Sequence, residues 1–572
     1  MGTSGNRKGF KVFSINTTVR NPKRNTEFLK YFQEFDGKLF TKELSERYFF
    51  NLIKYGVYRV TDIPEYVKNK MDNGEELTSS EVHNAIKNNP QATGLYGRVM
   101  TQLRAMKDQG FLAFNPIKRG LNQINITRLG KELIENKEDP TIVYTKAMLG
   151  MHANSPIRTQ IFNKSRPFLN TLFVIKEVNQ KWRDLGHEPK GLLKHEFATF
   201  VLSMKDCDYK TAANNIIEYR KQYRYEAKYE VLKNYLIAKD ILPIAEVSLL
   251  NDYPDDIFRK FEMTGLIRQR GQFNYIYYDF SSYNIEKVES ILQKYKGYVF
   301  ETFNNATDYY NYLYNIEIPW LSSELIRKKI IESKIKILNI SIDNTLTLQQ
   351  QEEYLDRFFY TKTLENIIQN IDTKLINKEL LILSGTVKEA ESKYKDIPEP
   401  LRLEYLLALL IGKNYGLTGL ISNIIYGEDG LPLHFAPASK CDIIYLNQNG
   451  SYIFEPTMQR GKNQQLNNET ANIVRHMQNE MQQTKITYRV MMIAPYVHID
   501  VANYFQYEAD KKSVKIAPLS IDKIVGLVYE SKSISELNNN FDTIVNFLIN
   551  SNEQQYVDKI NSYSVDKNAY NI

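Results

Sequence analysis

Residues 441–457 read CDIIYLNQNGSYIFEPT, and this stretch decides how the C-terminal part of the chain is interpreted. Two apolar runs, 443–446 and 452–454, flank an Asn-Gly turn signal, which is typical of a two-stranded antiparallel hairpin. Asp442 stands directly before the first run, and Glu455 stands directly after the second. Because the strands of a hairpin return to the same end, we predict that these two carboxylates converge on one spot.

Composition narrows the class of protein. The chain has 572 residues, of which 42% are hydrophobic, enough for several domains with cores of their own. Cys207 and Cys441 lie far apart and suggest neither a disulfide framework nor a zinc set, which favours a reducing cytosol. The longest purely apolar run, 405–411, is too short to cross a membrane. Because abundant Asn, Ile, Lys and Tyr are typical of AT-rich bacterial coding DNA, we expect a cytoplasmic bacterial protein without membrane association.

The formal net charge of +7 is compatible with nucleic-acid binding but does not demonstrate it. A more specific signal lies near the N-terminus, where Asn21 followed by Pro22 predicts the start of a helix that runs to about Phe35. Arg20 and Arg24 flank this start, and a helix N-terminus beside arginines is suited to bind a phosphate group. The alternative is a helix end that is simply solvated.

Residues 77–134 predict a winged helix-turn-helix. A short helix opens at 78–81, and the segment 91–110 predicts a longer helix because its apolar residues keep helical spacing: Leu95, Val99, Leu103 and Met106. Two short strands around a basic turn follow, and another helix begins after them. In this order of elements the second helix enters the major groove of DNA.

Polar side chains on that second helix are the candidates for reading bases. They are predicted to face away from the apolar stripe and are of types that contact base edges: Arg98, Thr101, Gln102 and Arg104. Lys118 and Arg119 lie in the basic turn between the strands, where they are suited to contact phosphates. The alternative is a winged-helix domain that serves only in packing.

Residues 151–300 repeat part of this pattern and predict a second recognition module. A helix and a Gly turn precede two strands around a basic hairpin, which contains Arg268 and Arg270. The tyrosines nearby suit either contacts with the DNA backbone or packing of the strands into a core: Tyr275, Tyr277 and Tyr278.

The rest of the chain predicts a connector and a compact α/β unit. Residues 301–398 predict long amphipathic helices without a recognisable site, so a fragment ending near residue 300 is expected to fold. A helix at 399–412, the hairpin, a polar helix at about 468–483 and a buried strand within 486–497 predict a mixed sheet covered by helices. The predicted fold is a multidomain α+β chain in four parts: 1–150 and 151–300 for recognition, 301–398 as a helical linker, and 399–572 as the α/β domain.

Three chemistries place an Asp and a Glu close together. Glycosidases usually combine their carboxylates with aromatic platforms rich in Trp, and this chain has only Trp182 and Trp320. Aspartic dyads need paired loops that each contain an Asp, and the sequence shows no such pair. Hydrolysis of phosphodiester bonds with Mg²⁺ fits best, because the cation cancels the repulsion between several carboxylates.

The spacing of Asp442 and Glu455 is similar to the PD-(D/E)xK arrangement of restriction-type nucleases. Cys441 stands where proline is usual, and Thr457 stands where a lysine normally orients the attacking water. Longer segments resemble the AlwI family of type IIS restriction endonucleases, whose relatives include site-specific nicking enzymes: NTTVRNPKRNTEFLKYFQEFDGK at 16–38, GLYGRVMTQLRAMKDQGFL at 94–112, ITRLGKELI at 126–134, and 431–477 around the hairpin. The EPT of this chain is similar to an EVT in the nicking relatives, so the missing lysine looks like a habit of the family.

The resemblance implies a division of labour. The N-terminal winged-helix region would recognise a short asymmetric site in double-stranded DNA, and a C-terminal restriction-endonuclease-like domain would cut a few bases outside it. Asp442, Glu455 and Glu469 would bind Mg²⁺, and Glu404 and His476 would be further catalytic residues. Three of these residues have alternatives: Glu404 as an exposed helix residue, Glu469 as a helix cap and His476 as a packing residue.

The sequence therefore predicts a Mg²⁺-dependent type II site-specific deoxyribonuclease, either a type IIS endonuclease or a strand-specific nickase. Because one metal site cuts one strand, cutting the other strand requires a second event or a second active site, from a homodimer or another nuclease subunit. The alternative is a catalytically inactive winged-helix DNA-binding protein, in which Thr457 marks a decayed site.

Overall fold

The computed structural model of the protein describes most of the chain: residues 10–15, 21–54, 57, 64–72, 77–78, 80–81, 84, 95–118, 121–135, 139–158, 163–271, 276–387, 392–437 and 440–564. The chain divides into two compact units: the first is Met1–Ser45 with Tyr96–Glu352, and the second is Glu46–Leu95 with Glu353–Ile572. In the described part of the chain, every helix is too short or too polar to span a bilayer. The division into four parts is finer than these two units and stays a prediction.

The first unit combines helices with two small antiparallel sheets. Its strands are β1 (Lys38–Leu39), β2 (Leu112–Lys118), β3 (Leu121–Ile126), β4 (Leu192–Leu193), β5 (Ile267–Arg270) and β6 (Tyr277–Phe280), in the orders β1-β3-β2 and β4-β6-β5. Its longer helices are Asn25–Phe32, Leu95–Asp108, Arg128–Glu135, Pro140–Leu149, Pro167–Asp184, Tyr209–Tyr223, Tyr229–Ala238, Tyr253–Glu262, Ile285–Lys294, Ala306–Tyr314 and Glu324–Leu338. Two further helices, Lys42–Lys54 and Leu348–Asn370, each contain a position at which the units divide, and the third division follows Leu95, the first residue of the helix Leu95–Asp108.

The predicted helix start near the N-terminus is confirmed. The side chain of Asn21 accepts a hydrogen bond from the backbone N–H of Lys23 at 3.1 Å, and Pro22 occupies the first helical position. Helical turns then continue through Phe35, where the prediction placed the end. Asn21 stabilises this end by satisfying a backbone donor that has no partner within the helix.

The helix Leu95–Asp108 and the hairpin β2–β3 form where the sequence predicted a long helix and two strands. Val99, Leu103 and Met106 are buried, as their spacing indicated. The prediction that Gln102 faces away from this stripe is wrong, because its side chain is only 7% exposed. Position 102 follows Val99 by three residues and precedes Met106 by four, and this spacing places it on the buried face of the helix.

The second predicted hairpin is also present, with β5 and β6 paired antiparallel. Arg270 donates hydrogen bonds to the Phe280 carbonyl at 3.1 Å and to Ser282 Oγ at 2.8 Å, so its guanidinium braces the hairpin in the free protein. Tyr278 is fully buried and stacks on Phe258 with 3.7 Å between ring centroids. Of the two interpretations of the tyrosines, packing is therefore correct for Tyr278, while Tyr275 lies outside the described residues.

Residues 301–352, the first half of the predicted linker, belong to the first unit. On the helix Ala306–Tyr314, the Tyr309 hydroxyl donates to the Gly150 carbonyl at 3.1 Å and the Tyr310 hydroxyl donates to the Leu112 carbonyl at 2.8 Å. Both tyrosine side chains are largely removed from water, and burial raises the pKa of each phenol. This helix is therefore part of the core that supports β2, rather than a free spacer.

The second unit is built on one five-stranded mixed sheet. The strands of this unit are β7 (Leu420–Ser422), β8 (Ile425–Tyr426), β9 (Pro432–His434), β10 (Ile443–Tyr445), β11 (Ser451–Pro456), β12 (Tyr488–Ala494) and β13 (Ile516–Ser520), of which five form the sheet. The sheet has the order β13-β12-β11-β10-β7, in which β10 is antiparallel to β7 and β11, and β11, β12 and β13 are parallel; β8 pairs with β9 separately. The helices are Glu65–Asp72, Thr373–Ser384, Glu399–Tyr415, Ala471–Thr484, Ile499–Lys512, Ile521–Glu530, Ile534–Asn550 and Glu553–Asn561.

The elements predicted for this unit are confirmed, and burial explains their composition. The strand β12 is a nearly continuous apolar run because helices cover both faces of a parallel sheet. The helix Glu399–Tyr415 is buried from Leu401 to Gly412, and it therefore carries charged residues into the core. Arg402 lies there with 0% exposure and donates at 2.8 Å to Ser392, which in turn donates to Glu379 at 2.6 Å.

A fragment test follows from the position of the helix Ala306–Tyr314. We expect a fragment of residues 1–300 to have a lower free energy of unfolding than a fragment of residues 1–352, by at least about 3 kcal/mol, because truncation exposes the core around Tyr309 and Leu313. Thermal unfolding of the two fragments, which contain the same N-terminal residues, measures the difference. Equal melting temperatures would show that the helix is a spacer after all.

Candidate active site

The hairpin β10–β11 brings Asp442 and Glu455 together. Ile443 pairs with Phe454, so the next position outward sets Asp442 against Glu455. On its other side Glu455 pairs with Met492 of the parallel strand β12. The convergence predicted from the sequence is therefore present, at the end of β11 where the antiparallel and parallel parts of the sheet meet.

Glu455 is a carboxyl group in an unfavourable environment. Its side chain is only 5% exposed, and burial, followed by repulsion from Glu469, raises its pKa to about 8. Hydrogen bonds with Cys441 and Asp442 oppose this rise. Among the described residues, none makes a hydrogen bond to Oε1 of Glu455, which is buried. The protein thus holds a carboxyl group at a place where its ionised form is strongly disfavoured.

Glu469 reaches this site from the helical segment after β11. It lies in a π-helical stretch, Gln465–Thr470, that leads directly into the helix Ala471–Thr484. Its Oε1 accepts a hydrogen bond from the Thr457 hydroxyl at 3.2 Å, and Thr457 itself is buried. The bond from Thr457, which directly follows β11, and the repulsion felt by Glu455 show that Glu469 belongs to the carboxylate cluster rather than serving only as a helix cap.

His476 stands on the same helix, one to two turns further on. Its Nδ1 lies 3.5 Å from Oε1 of Glu455, a contact that becomes an ion pair when the imidazole is protonated. Arg475, its neighbour, is exposed and donates to Asn472 at 2.9 Å. The structure therefore brings four predicted residues to one place, namely Asp442, Glu455, Glu469 and His476.

Glu404 is buried, with 6% exposure, on the helix Glu399–Tyr415, so the alternative of an exposed helix residue is wrong. Its charge contributes to raising the pKa of the Tyr426 phenol, after the larger effect of burial. His434 is also buried and lies in β9, opposite Ile425 of β8. A carboxylate on a helix that is apolar around it is costly to bury, which is typical of a residue kept for function.

The chemistry of the carboxylate cluster fits a hard divalent cation. Asp442, Glu455 and Glu469 offer only oxygen ligands, which Mg²⁺ prefers, and a cation would relieve the repulsion between Glu455 and Glu469. Within the residues that the structure describes, however, no group of three or more His, Cys, Asp and Glu side chains has the geometry of a formed metal centre. The assignment of Asp442, Glu455 and Glu469 as metal ligands stays a prediction.

The predicted DNA-binding residues lie in the first unit and differ in exposure. Arg98 and Arg104 are exposed on the helix Leu95–Asp108, whereas Thr101 is half-buried and donates to the Gly97 carbonyl at 2.6 Å. Arg24 is half-buried in the first helical turn. Lys118 ends β2, opposite Leu121, while Arg20 and Arg119 lie outside the described residues. Arg268 is half-buried, opposite Asp279 in the hairpin β5–β6.

Sequence reasoning missed Gln465, which supports the carboxylate cluster from outside. This fully buried side chain donates hydrogen bonds through Nε2 to the Gln459 carbonyl at 2.7 Å and to the Tyr496 carbonyl at 2.6 Å. It therefore ties the loop after β11 to the loop after β12. The only signal in the sequence is a polar run before the helix, and such runs are usually solvated.

The raised pKa of Glu455 predicts how stability depends on pH in the absence of divalent cations. The unfolded carboxyl loses its proton near its ordinary pKa of 4.5 and the folded one near 8, so the free energy of unfolding should fall as pH rises through that range. We expect Glu455→Gln to be more stable than the wild type by about 1–3 kcal/mol at pH 9 and much less so at pH 5. Chemical denaturation in EDTA measures this.

Glu365→Gln is the matched control, because Glu365 is exposed in the same unit. Its pH profile should follow that of the wild type. If Glu455→Gln also followed the wild-type profile, the burial of an ionisable Glu455 would be refuted.

Comparison with known proteins identifies the family of the chain. The chain matches the AlwI restriction endonuclease family over residues 110–527, well over half its length. The small subunit of the heterodimeric restriction endonuclease R.BspD6I has 18% identity, covers 31% of this chain and 92% of its own, and has a TM-score of 0.26. The structure of restriction endonuclease FokI has 12% identity to this chain, covers 94% of this chain and 99% of its own, and has a TM-score of 0.23. No curated protein sequence matches. From the extent of the family match, the chain belongs to the AlwI restriction endonuclease family.

Proposed function

We propose that this restriction endonuclease is a Mg²⁺-dependent enzyme of the PD-(D/E)xK type, which binds a short asymmetric site in double-stranded DNA and hydrolyses phosphodiester bonds a few bases outside it. The observation that carries the proposal is the register of β10 and β11, which sets Asp442 opposite Glu455 beside Glu469. In the five-stranded sheet, the strands β7, β10 and β11 follow the helix Glu399–Tyr415, and the helix Ala471–Thr484 then leads to β12. This order of elements supports the same assignment.

Asp442, Glu455 and Glu469 would hold the cation, which in such sites activates the attacking water and stabilises the charge that develops on the phosphate. The chain's own contribution is to hold Glu455 in a buried place with Asp442 and Glu469 half-buried beside it, where charges interact more strongly than they do in water. His476 faces Glu455 and is suited to hold a proton or a phosphate oxygen there. Glu404 is buried on the helix Glu399–Tyr415, which precedes the hairpin in the same unit.

Recognition is proposed for winged-helix-type elements of the first unit. The helix Leu95–Asp108 would enter the major groove, with exposed Arg98 and Arg104 contacting base edges. The hairpin β2–β3 would contact phosphates through Lys118 and Arg119. The Arg20 and Arg24 region and the hairpin that carries Arg268 and Arg270 would add contacts with the DNA backbone, with Arg270 released from its present bonds.

A bacterial cytoplasmic location fits an enzyme of this kind, because its substrate is DNA and its Cys207 and Cys441 are both free. Cutting both strands would require a second active site, supplied by a homodimer or by another nuclease subunit, or a second binding event. Without one, the chain would act as a strand-specific nickase.

An inactive DNA-binding protein is the second candidate, and Thr457 in the place of the usual lysine is the observation that favours it. The retention of Asp442, Glu455 and Glu469 in one cluster around the buried Glu455 argues against decay, since an unused carboxyl group only destabilises such a place. Incubating the protein with plasmid DNA in Mg²⁺ and in EDTA separates the two: cleavage that requires Mg²⁺ supports the enzyme, and binding without cleavage supports the alternative.

One prediction from the proposed function concerns catalysis. Asp442→Asn and Glu455→Gln should each lower the rate of plasmid cleavage by at least about 100-fold, because each removes a charged ligand for the cation. Specific DNA binding, measured by gel shift, should stay close to wild type. Asp558→Asn changes an exposed carboxylate on the surface of the same unit and should cut normally. Normal cleavage by either cluster variant would refute the assignment.

A separate prediction from the proposed function concerns recognition of DNA sequence. Arg98→Ala or Arg104→Ala should weaken binding to the specific site by roughly 1–3 kcal/mol for each lost base contact, with a smaller loss on random DNA. Lys118→Ala should weaken binding to all sequences alike and reduce its salt dependence. Fluorescence anisotropy with specific and random duplexes measures both. Equal losses on the two duplexes for all three variants would show that this helix does not read sequence.

A further inference from the structure

Thr457 sits where the strand that carries Glu455 leaves the sheet. Its backbone N–H donates to the Ile493 carbonyl at 2.8 Å, which fixes its place relative to β12. Its side chain is 6% exposed, so its hydroxyl group must find its hydrogen bonds within the protein. Two of those bonds define what the residue does.

The direction of the Thr457 hydroxyl is determined by its neighbours. The backbone N–H of Gln459 donates to Oγ1 of Thr457 at 3.1 Å, and Oγ1 of Thr457 lies 3.2 Å from Oε1 of Glu469. A hydroxyl has one proton to donate, and an ionised carboxylate can only accept. Because the amide already donates to the oxygen, the hydroxyl proton of Thr457 is directed to Glu469.

The bond joins two elements that carry the carboxylate cluster. Glu455 lies on β11, and Glu469 lies in the π-helical stretch Gln465–Thr470, a local geometry that recurs at functional sites. When both are ionised, the two carboxylates repel each other and would move apart without a restraint. The Thr457 hydroxyl supplies that restraint from the position directly after β11, two residues away from Glu455.

We propose that Thr457 is a positioning residue, which holds the Glu469 carboxylate beside Glu455 so that both face the same cation. This inference rests on the proposed function, and it assigns a role to the residue that replaces the usual lysine. Thr457 contacts neither DNA nor metal in this role. It acts through Glu469, and the hydroxyl rather than the shape of the side chain carries the effect.

The test uses the full-length protein without DNA and Mn²⁺ as the probe. Isothermal titration calorimetry measures Mn²⁺ affinity, and the rise of the melting temperature with Mn²⁺ gives a second readout. Thr457→Val keeps the branched shape and removes the hydroxyl, Thr457→Ala removes it without that shape, and Thr457→Ser keeps it. The reference variants are Glu469→Gln and the double variant with Thr457→Val. Thr363→Val is the matched control, because Thr363 is a buried threonine of the same unit whose hydroxyl donates to the Phe359 carbonyl.

We expect Thr457→Val and Thr457→Ala to weaken Mn²⁺ binding by about 10-fold or more, since residues that orient metal ligands have effects of this size. Thr457→Ser and Thr363→Val should bind like the wild type. The double variant should bind no more weakly than Glu469→Gln alone, because both changes break the same link. The plasmid cleavage rate at increasing Mn²⁺ should show the same order of variants, with the defect of Thr457→Val partly relieved at high Mn²⁺.

Three results would overturn the inference: wild-type affinity in both hydroxyl-free variants, a loss in Thr457→Ser as large as in Thr457→Val, or fully additive losses in the double variant. In each case a wild type that binds Mn²⁺ and cuts DNA would leave the proposed function standing. A wild type that neither binds Mn²⁺ nor cuts DNA would reject the proposed function, and the role of Thr457 with it.

Discussion

The register between β10 and β11 is the constraint on which the candidate site depends. It sets Asp442 against Glu455 at the place where β11 also meets the parallel strand β12. Side chains alternate between the two faces of a sheet, so a slip by one residue would turn Glu455 to the other face and separate it from Glu469. The apolar neighbours of Glu455, including Ile453 and Phe454, are fully buried and resist such a slip.

The carboxylate cluster differs from the buried ion pair of Glu196 and Arg220 in what surrounds it. Glu196 is fully buried, but the Arg220 guanidinium lies 2.6 Å away and compensates its charge. Glu455 has Glu469 and the titratable His476 beside it instead, and its pKa is raised by burial and then by repulsion from Glu469. Ionising Glu455 beside Glu469 costs stability at this site, and a cation is the partner that would recover it. This contrast is a physical sign of function that does not depend on the family match.

Local patterns predicted some residues correctly and failed at others for identifiable reasons. The Asn-Gly turn and its apolar flanks depend on interactions within a few residues, and the hairpin formed as predicted. Gln102 failed because helical spacing fixes which residues share a face, whereas the prediction relied on polarity alone. The burial of Glu404 was left open, since a charged residue on a helix is usually solvated and only packing on all sides of that helix removes it from water.

The sequence by itself determined the hairpin, the order of helix, hairpin, helix and buried strand over residues 399–497, and the pair Asp442 and Glu455. These features follow from periodicity and from a register that is set within seventeen residues, 441–457. Only the tertiary structure decided that Glu469 and His476 join the pair and that Thr457 bonds to Glu469. Those contacts connect a strand to a helix that packs on it, and no local rule gives the rotation of one element against another. The burial that raises the pKa of Glu455 likewise arises only when the whole core has assembled around it.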